Sequence, residues 1–80
     1  MPRLHQHYYA LLREQAGIQA ETIDTAANTP SKLYAELAAR HRFRLPASQL
    51  RVAVNAAFSD WDQALADGDE VVFLPPVAGG

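Results

Sequence analysis

Eighty residues make room for one small domain, because so short a chain cannot divide its apolar residues between two cores. At 49% hydrophobic and 20% charged the composition is that of a soluble globular protein, and no apolar run approaches the roughly 20 residues that cross a bilayer. A net charge of -2 argues against a binder that works by neutralising phosphates, and the lack of cysteine excludes disulfides, zinc-thiolate sites and a thiol nucleophile.

The N-terminal stretch "MPRLHQHYYALLREQAG" has no cationic segment leading into an apolar one, so no secretory signal is expected and the cytoplasm is the expected location. Leu4 to Tyr9 alternates as a strand, with Leu4, Gln6 and Tyr8 on one face and His5, His7 and Tyr9 on the other. Gln6 is the polar exception on the face that should be buried. Ala10 to Ala16 is rich in helix formers and ends at Gly17, which suits a left-handed cap. "QAETID" reads as a second, weaker strand. Thr29 as N-cap and Pro30 at the first helical position open the main helix, whose stripe is Leu33, Leu37 and Ala38. Arg40, His41 and Arg42 fit the negative end of its dipole. After a connector broken at Pro46, Leu50 to Asn55 reads as a strand with Val52 and Val54 on one side, and Asn55 suits a tight turn. "AFSDWD" supplies a short strand. "ALADGDE" forms a turn, and Glu70 to Leu74 is the last strand, with Val71 and Phe73 on one face and Val72 and Leu74 on the other. One main helix packed on a small mixed sheet of four to five strands buries all of these patterns, an α+β architecture. The expected division is a domain over 1–74 and a flexible tail over 75–80.

The stretches "YYALLREQAG", "LRVAVN" and "LADGDEVVFLPPVAGG", in this order and spacing, resemble the small, sulfur-carrying subunits of molybdopterin synthases, which are ubiquitin-like β-grasp proteins. The terminal "PPVAGG" is the most specific part. The resemblance implies a two-stage chemistry at Gly80. A ubiquitin-activating-like adenylyltransferase would adenylate its α-carboxylate with ATP and magnesium, and a sulfur-donating enzyme would then convert it to a thiocarboxylate. The tail would next enter the large synthase subunit and give its sulfur to a cyclic pterin precursor, two carriers building one dithiolene. The resemblance also implies an elongated heterotetramer with that large subunit, and no cofactor held stably by the carrier itself.

Physical reasons support these residue types. A carboxylate is a poor electrophile until adenylation supplies a leaving group, and the sulfur that replaces its oxygen makes the tail a donor without any cysteine. Gly79 and Gly80 lack a Cβ and can pass where side chains would block. Pro75 and Pro76 fix φ and favour a stiff, extended exit, continued by Val77 and Ala78, so the tail loses less entropy on threading. At about 3.3 Å per residue, Pro75 to Gly80 would reach roughly 20 Å from the sheet. A Gly-Gly end alone would more simply be a frayed terminus; the strand and diproline before it favour the functional reading.

A carrier recognised by several enzymes should expose an apolar face. The resemblance places Tyr9, Phe58 and Leu74 at partner-facing positions, with Arg13 and Glu14 as polar contacts at the rim. The plainer alternatives are core packing for the first three and a solvated ion pair for the last two. His5 and His7 make a possible metal pair with no third ligand evident, and two nitrogens alone rarely close a site, so no metal is expected. Asp67, Asp69 and Glu70 lack the ligand count of a calcium loop, and Trp61 reads as a packing residue. Two rival functions share the tail: a sulfur carrier for another pathway such as thiamine, and a ubiquitin-like modifier joined to lysines. Lys32 is the one side-chain amine on which a modifier could build chains of itself.

Overall fold

The computed structural model describes residues 2–75. In chain order they form β1 (Arg3–His7), α1 (Ala10–Ala16), β2 (Ala20–Asp24), α2 (Pro30–His41), a 3-10 turn (Ala47–Gln49), β3 (Arg51–Val54), β4 (Ala57–Ser59) and β5 (Glu70–Leu74). The five strands make one mixed sheet in the order β2-β1-β5-β3-β4. β1 and β5, at opposite ends of the chain, pair in parallel, and the other neighbours are antiparallel. This is the arrangement expected of a β-grasp domain. The proposed tail residues Pro76, Val77, Ala78, Gly79 and Gly80 lie outside the described residues.

β1 stops two residues earlier than its alternation suggests. The Tyr8 N–H turns away to the Gln19 carbonyl at 2.8 Å, closing the base of the segment that carries α1. Tyr9 is the extended N-cap of that helix, and Ala10 takes the left-handed φ of 51° that turns strand into helix. Gly17 caps its far end at φ 77°, its N–H on the Arg13 carbonyl. α2 starts as its sequence dictates, with the Thr29 hydroxyl accepting from the Lys32 N–H at 3.3 Å and Pro30 behind it. Its end is less usual, because Arg42 rather than glycine occupies the left-handed cap, at φ 58°. Asn55 and Ala56 both have positive φ, 52° and 68°, which makes the two-residue turn between β3 and β4 twist with the strands.

One face of the sheet is covered and the other is open. Leu4, Ile23, Val52, Val54, Val71 and Phe73 form the covered face, and they share one apolar cluster with Leu33, Tyr34 and Leu37 of α2. Phe73 is the hub: its ring stacks on Trp61 at 5.5 Å and meets Tyr34 edge-on at 5.0 Å. Gln6 sits in this core fully buried, aligned with Glu21 on β2 and Val71 on β5. Its Nε2 donates to the His7 carbonyl at 3.1 Å, while its Oε1 has no partner among the described residues. No helix among the described residues is long and apolar enough to cross a membrane.

Candidate functional site

The open sheet face is built by strand register. Ala20, His7, Val72, Ala53 and Phe58 are successive partners across β2, β1, β5, β3 and β4, forming one row that crosses the whole sheet. Val72 and Ala53 are half-buried, and Phe58 at the edge is 63% exposed. In the neighbouring row Leu74 pairs with Arg51. The Arg51 guanidinium lies over the Phe58 ring, 4.2 Å from its centroid, a favourable cation–π contact that leaves the charge at the surface.

Phe58, Leu74, Arg51, Leu50 and Pro75 line a shallow groove of about 420 Å³. The structure therefore brings together two of the three apolar residues singled out from the sequence, and places the first residue of the tail beside them. Tyr9, 50% exposed, is not in that groove; it lines a separate recess of about 320 Å³ with Arg13 and His7. Arg13 and Glu14 are both exposed, and no ion pair joins them among the described residues. Leu11 and Ile18, which the sequence did not single out, are also exposed, 39% and 40%.

The acidic turn is structural. Asp67 accepts from the Arg3 N–H at 2.7 Å, and Asp69 accepts from the Ala66 N–H and the Asn55 amide at 2.8 and 2.9 Å. These carboxylates fasten the β5 entry to β1 and to the β3–β4 turn. Trp61 packs on Phe73, as its sequence context suggested.

A polar network behind the sheet escaped the sequence reading altogether. Glu21 on β2 accepts the Tyr8 hydroxyl hydrogen bond and lies 2.7 Å from His41 Nε2 and 3.5 Å from Arg40 at the end of α2. Arg40 also reaches Glu36, which accepts from Thr25 at 2.6 Å. Burial alone would raise the Glu21 carboxyl, but hydrogen bonds from Tyr8 and His41 outweigh it and hold the group below its ordinary value of 4.5. Burial first, and the bond to Glu21 second, push the Tyr8 hydroxyl far up. A carboxyl lowered on folding stabilises the fold above its unfolded value, and that contribution disappears as pH falls through the lower folded value. Glu21→Gln is accordingly expected to lose about 1–3 kcal/mol at neutral pH. In urea titrations its deficit against the parent should close progressively below an ordinary carboxyl pKa of 4.5. A deficit independent of pH would show that ionisation of Glu21 contributes nothing.

The model of the ThiS family matches residues 7–80. The molybdopterin synthase sulfur carrier subunit of Escherichia coli is 37% identical over 76 residues, spanning 91% of this chain and 94% of that protein. Among solved structures, the putative molybdopterin converting factor subunit 1 of Pyrococcus furiosus superposes with a TM-score of 0.81 at 28% identity, covering 96% of this chain and all of that one. A chain from the complex of subunits 1 and 2 of the molybdopterin-converting factor of Helicobacter pylori has a TM-score of 0.69 at 24% identity, with 98% of this chain and 99% of that chain covered, and shares the fold.

Proposed function

This chain belongs to the ThiS family, and from that premise we propose that it serves as the sulfur-carrying subunit of a molybdopterin synthase, with Gly80 as the carrier atom's residue. What supports the reading in the structure is the end of β5. Leu74 and Pro75, the last described residues, line the groove beside Phe58 and Arg51 at the apolar, open end of the sheet.

In the proposed chemistry a Gly80 carboxylate oxygen attacks the α-phosphorus of ATP, bound with magnesium by an activating adenylyltransferase, and pyrophosphate leaves. Hydrosulfide released by a donor enzyme then attacks the acyl carbon and AMP departs, leaving a thiocarboxylate. Its sulfur attacks a carbon of the pterin precursor held by the large subunit and displaces that carbon's oxygen substituent; water then cleaves the acyl–sulfur bond, which leaves the sulfur on the pterin and restores the carboxylate. Catalytic acids, bases and oxyanion donors belong to the partners in this scheme, and the carrier contributes reach, a slim terminus and docking. The cytoplasm is the compartment proposed.

Intact mass measured after incubation with ATP, an activating enzyme and a sulfur source tests the carrier step: exchange of one oxygen for sulfur adds about 16 Da. An unchanged mass with active enzyme would overturn the reading. Docking is tested by Leu74→Glu, which introduces a charge into the groove. Binding to the large subunit should weaken about a hundredfold or more, with less than about 1 kcal/mol lost from the fold. Titration calorimetry and urea unfolding measure the two, and equal affinity for both proteins would move the docking surface elsewhere.

A further inference from the structure

The groove at the end of β5 contains a single charged side chain, Arg51; the rest of its lining, from Ser48 and Gln49 to Leu74 and Pro75, is neutral. Arg51 is exposed, and its guanidinium lies over the Phe58 ring at 4.2 Å from the centroid. That placement covers one face of the planar group and leaves its N–H donors, which lie at the edge of the plane, free to bond outward. No carboxylate takes them, for among the described residues Arg51 enters no ion pair. Glu36, the acidic residue that most closely precedes it in the chain, is engaged by Arg40 and Thr25, and Asp60, the one that most closely follows, forms no ion pair with it.

Closure of a partner over this groove strips water from those donors. A charge buried without a counter-charge is costly, whereas a guanidinium that meets a carboxylate makes two parallel, charge-assisted hydrogen bonds. Resting on the ring already limits where the guanidinium can go, so less rotamer freedom remains to be lost when the pair forms.

We propose that Arg51 is a specificity-determining residue of the docking groove, selecting on the large subunit an apolar surface interrupted by a carboxylate. This rests on the proposed function, which assigns the groove to docking with that subunit. The selection acts in both directions: the matching surface gains a charge-assisted pair, and an apolar surface of the same shape without the carboxylate is rejected because it leaves the guanidinium covered and unpaired.

Titration calorimetry of the full-length chain against the large subunit gives opposite signs for the two cases. With a carboxylate opposite Arg51, Arg51→Leu should weaken binding at least about tenfold, because the partner's charge is left unpaired, and Arg51→Glu at least about a hundredfold. Arg51→Lys should fall between the parent and Arg51→Leu, since it keeps the charge and loses the planar fork. The parent's affinity should also decline more steeply with salt than that of Arg51→Leu. Lys32→Gln, which neutralises an exposed cation on α2, should bind as the parent does; a loss there equal to that of Arg51→Leu would reduce the effect to net charge and overturn the pairing. Thermal midpoints of all these variants should stay within a few degrees of the parent, because both side chains are exposed. Without a carboxylate, Arg51→Leu binds as well as the parent or better, its desolvation cost gone, and with the parent itself binding this overturns the selection alone. A parent that does not bind the large subunit overturns the proposed docking and the role of Arg51 together.

Discussion

Deleting Gly80 is expected to abolish sulfur transfer while leaving the thermal midpoint within about 1 °C of the parent. Phe73 is the last residue of the described core, seven positions before Gly80, so the fold is not expected to register the loss. The chemistry has every reason to. Deletion moves the reacting carboxyl carbon back by about 3.3 Å, one extended residue, and misplacement of reacting atoms by about 1 Å already lowers rates by about a hundredfold. Thiocarboxylate formation, read by intact mass, should fall below detection, and so should dithiolene formed with the large subunit. Transfer by the shortened chain within tenfold of the parent would place the reacting group elsewhere. Leu74→Glu separates this from docking: it should weaken complex formation yet, at saturating partner, retain most of the transfer rate, whereas the deletion should bind normally and transfer nothing.

The elements were legible in the sequence because each is written in local terms. Thr29-Pro30 starts α2, Gly17 caps α1, and the alternation from Glu70 to Leu74 gives β5 with the buried Val71 and Phe73 assigned to the right face. What stayed hidden depends on register between distant strands. Glu21 meets Tyr8 and His41 from three separate elements, and no spacing motif encodes that meeting. Local signals also misplace what tertiary contacts decide: Tyr8 continues the alternation of β1, yet its N–H pairs with Gln19 and the strand ends at His7. Arg42 and Ala56 occupy left-handed positions that glycine or asparagine would advertise, so those turns carry no sequence flag. As for the site, Phe58 and Leu74 were recognisable as a pair only by resemblance; the groove that joins them to Arg51 and Pro75 is a product of β3, β4 and β5 lying side by side.

Phe73→Ala should produce the largest loss of stability of any single truncation in β5. The side chain is fully buried, between the stacked Trp61 and the edge-on Tyr34, and its cross-strand partner Val52 is 1% exposed. Removing a buried phenylalanine ring costs about 3–5 kcal/mol through lost burial and the cavity left behind. A domain of this size has only about 4–12 kcal/mol in total, so the variant should sit close to the folding threshold. At about 4–8 °C per kcal/mol, its thermal midpoint should fall by at least about 12 °C, measured by circular dichroism. Phe58→Ala provides the contrast: the same truncation at a 63% exposed ring on the edge strand should shift the midpoint by no more than a few degrees and act on docking instead. Phe73 and Leu74 are adjacent, yet one faces the core and the other the groove. The strand thereby divides its duties by alternation, and sulfur loading of Phe73→Ala should recover wholly at a temperature low enough to restore its fold. Loading that stays lost in the refolded variant would mean that Phe73 itself takes part in recognition by the activating enzyme.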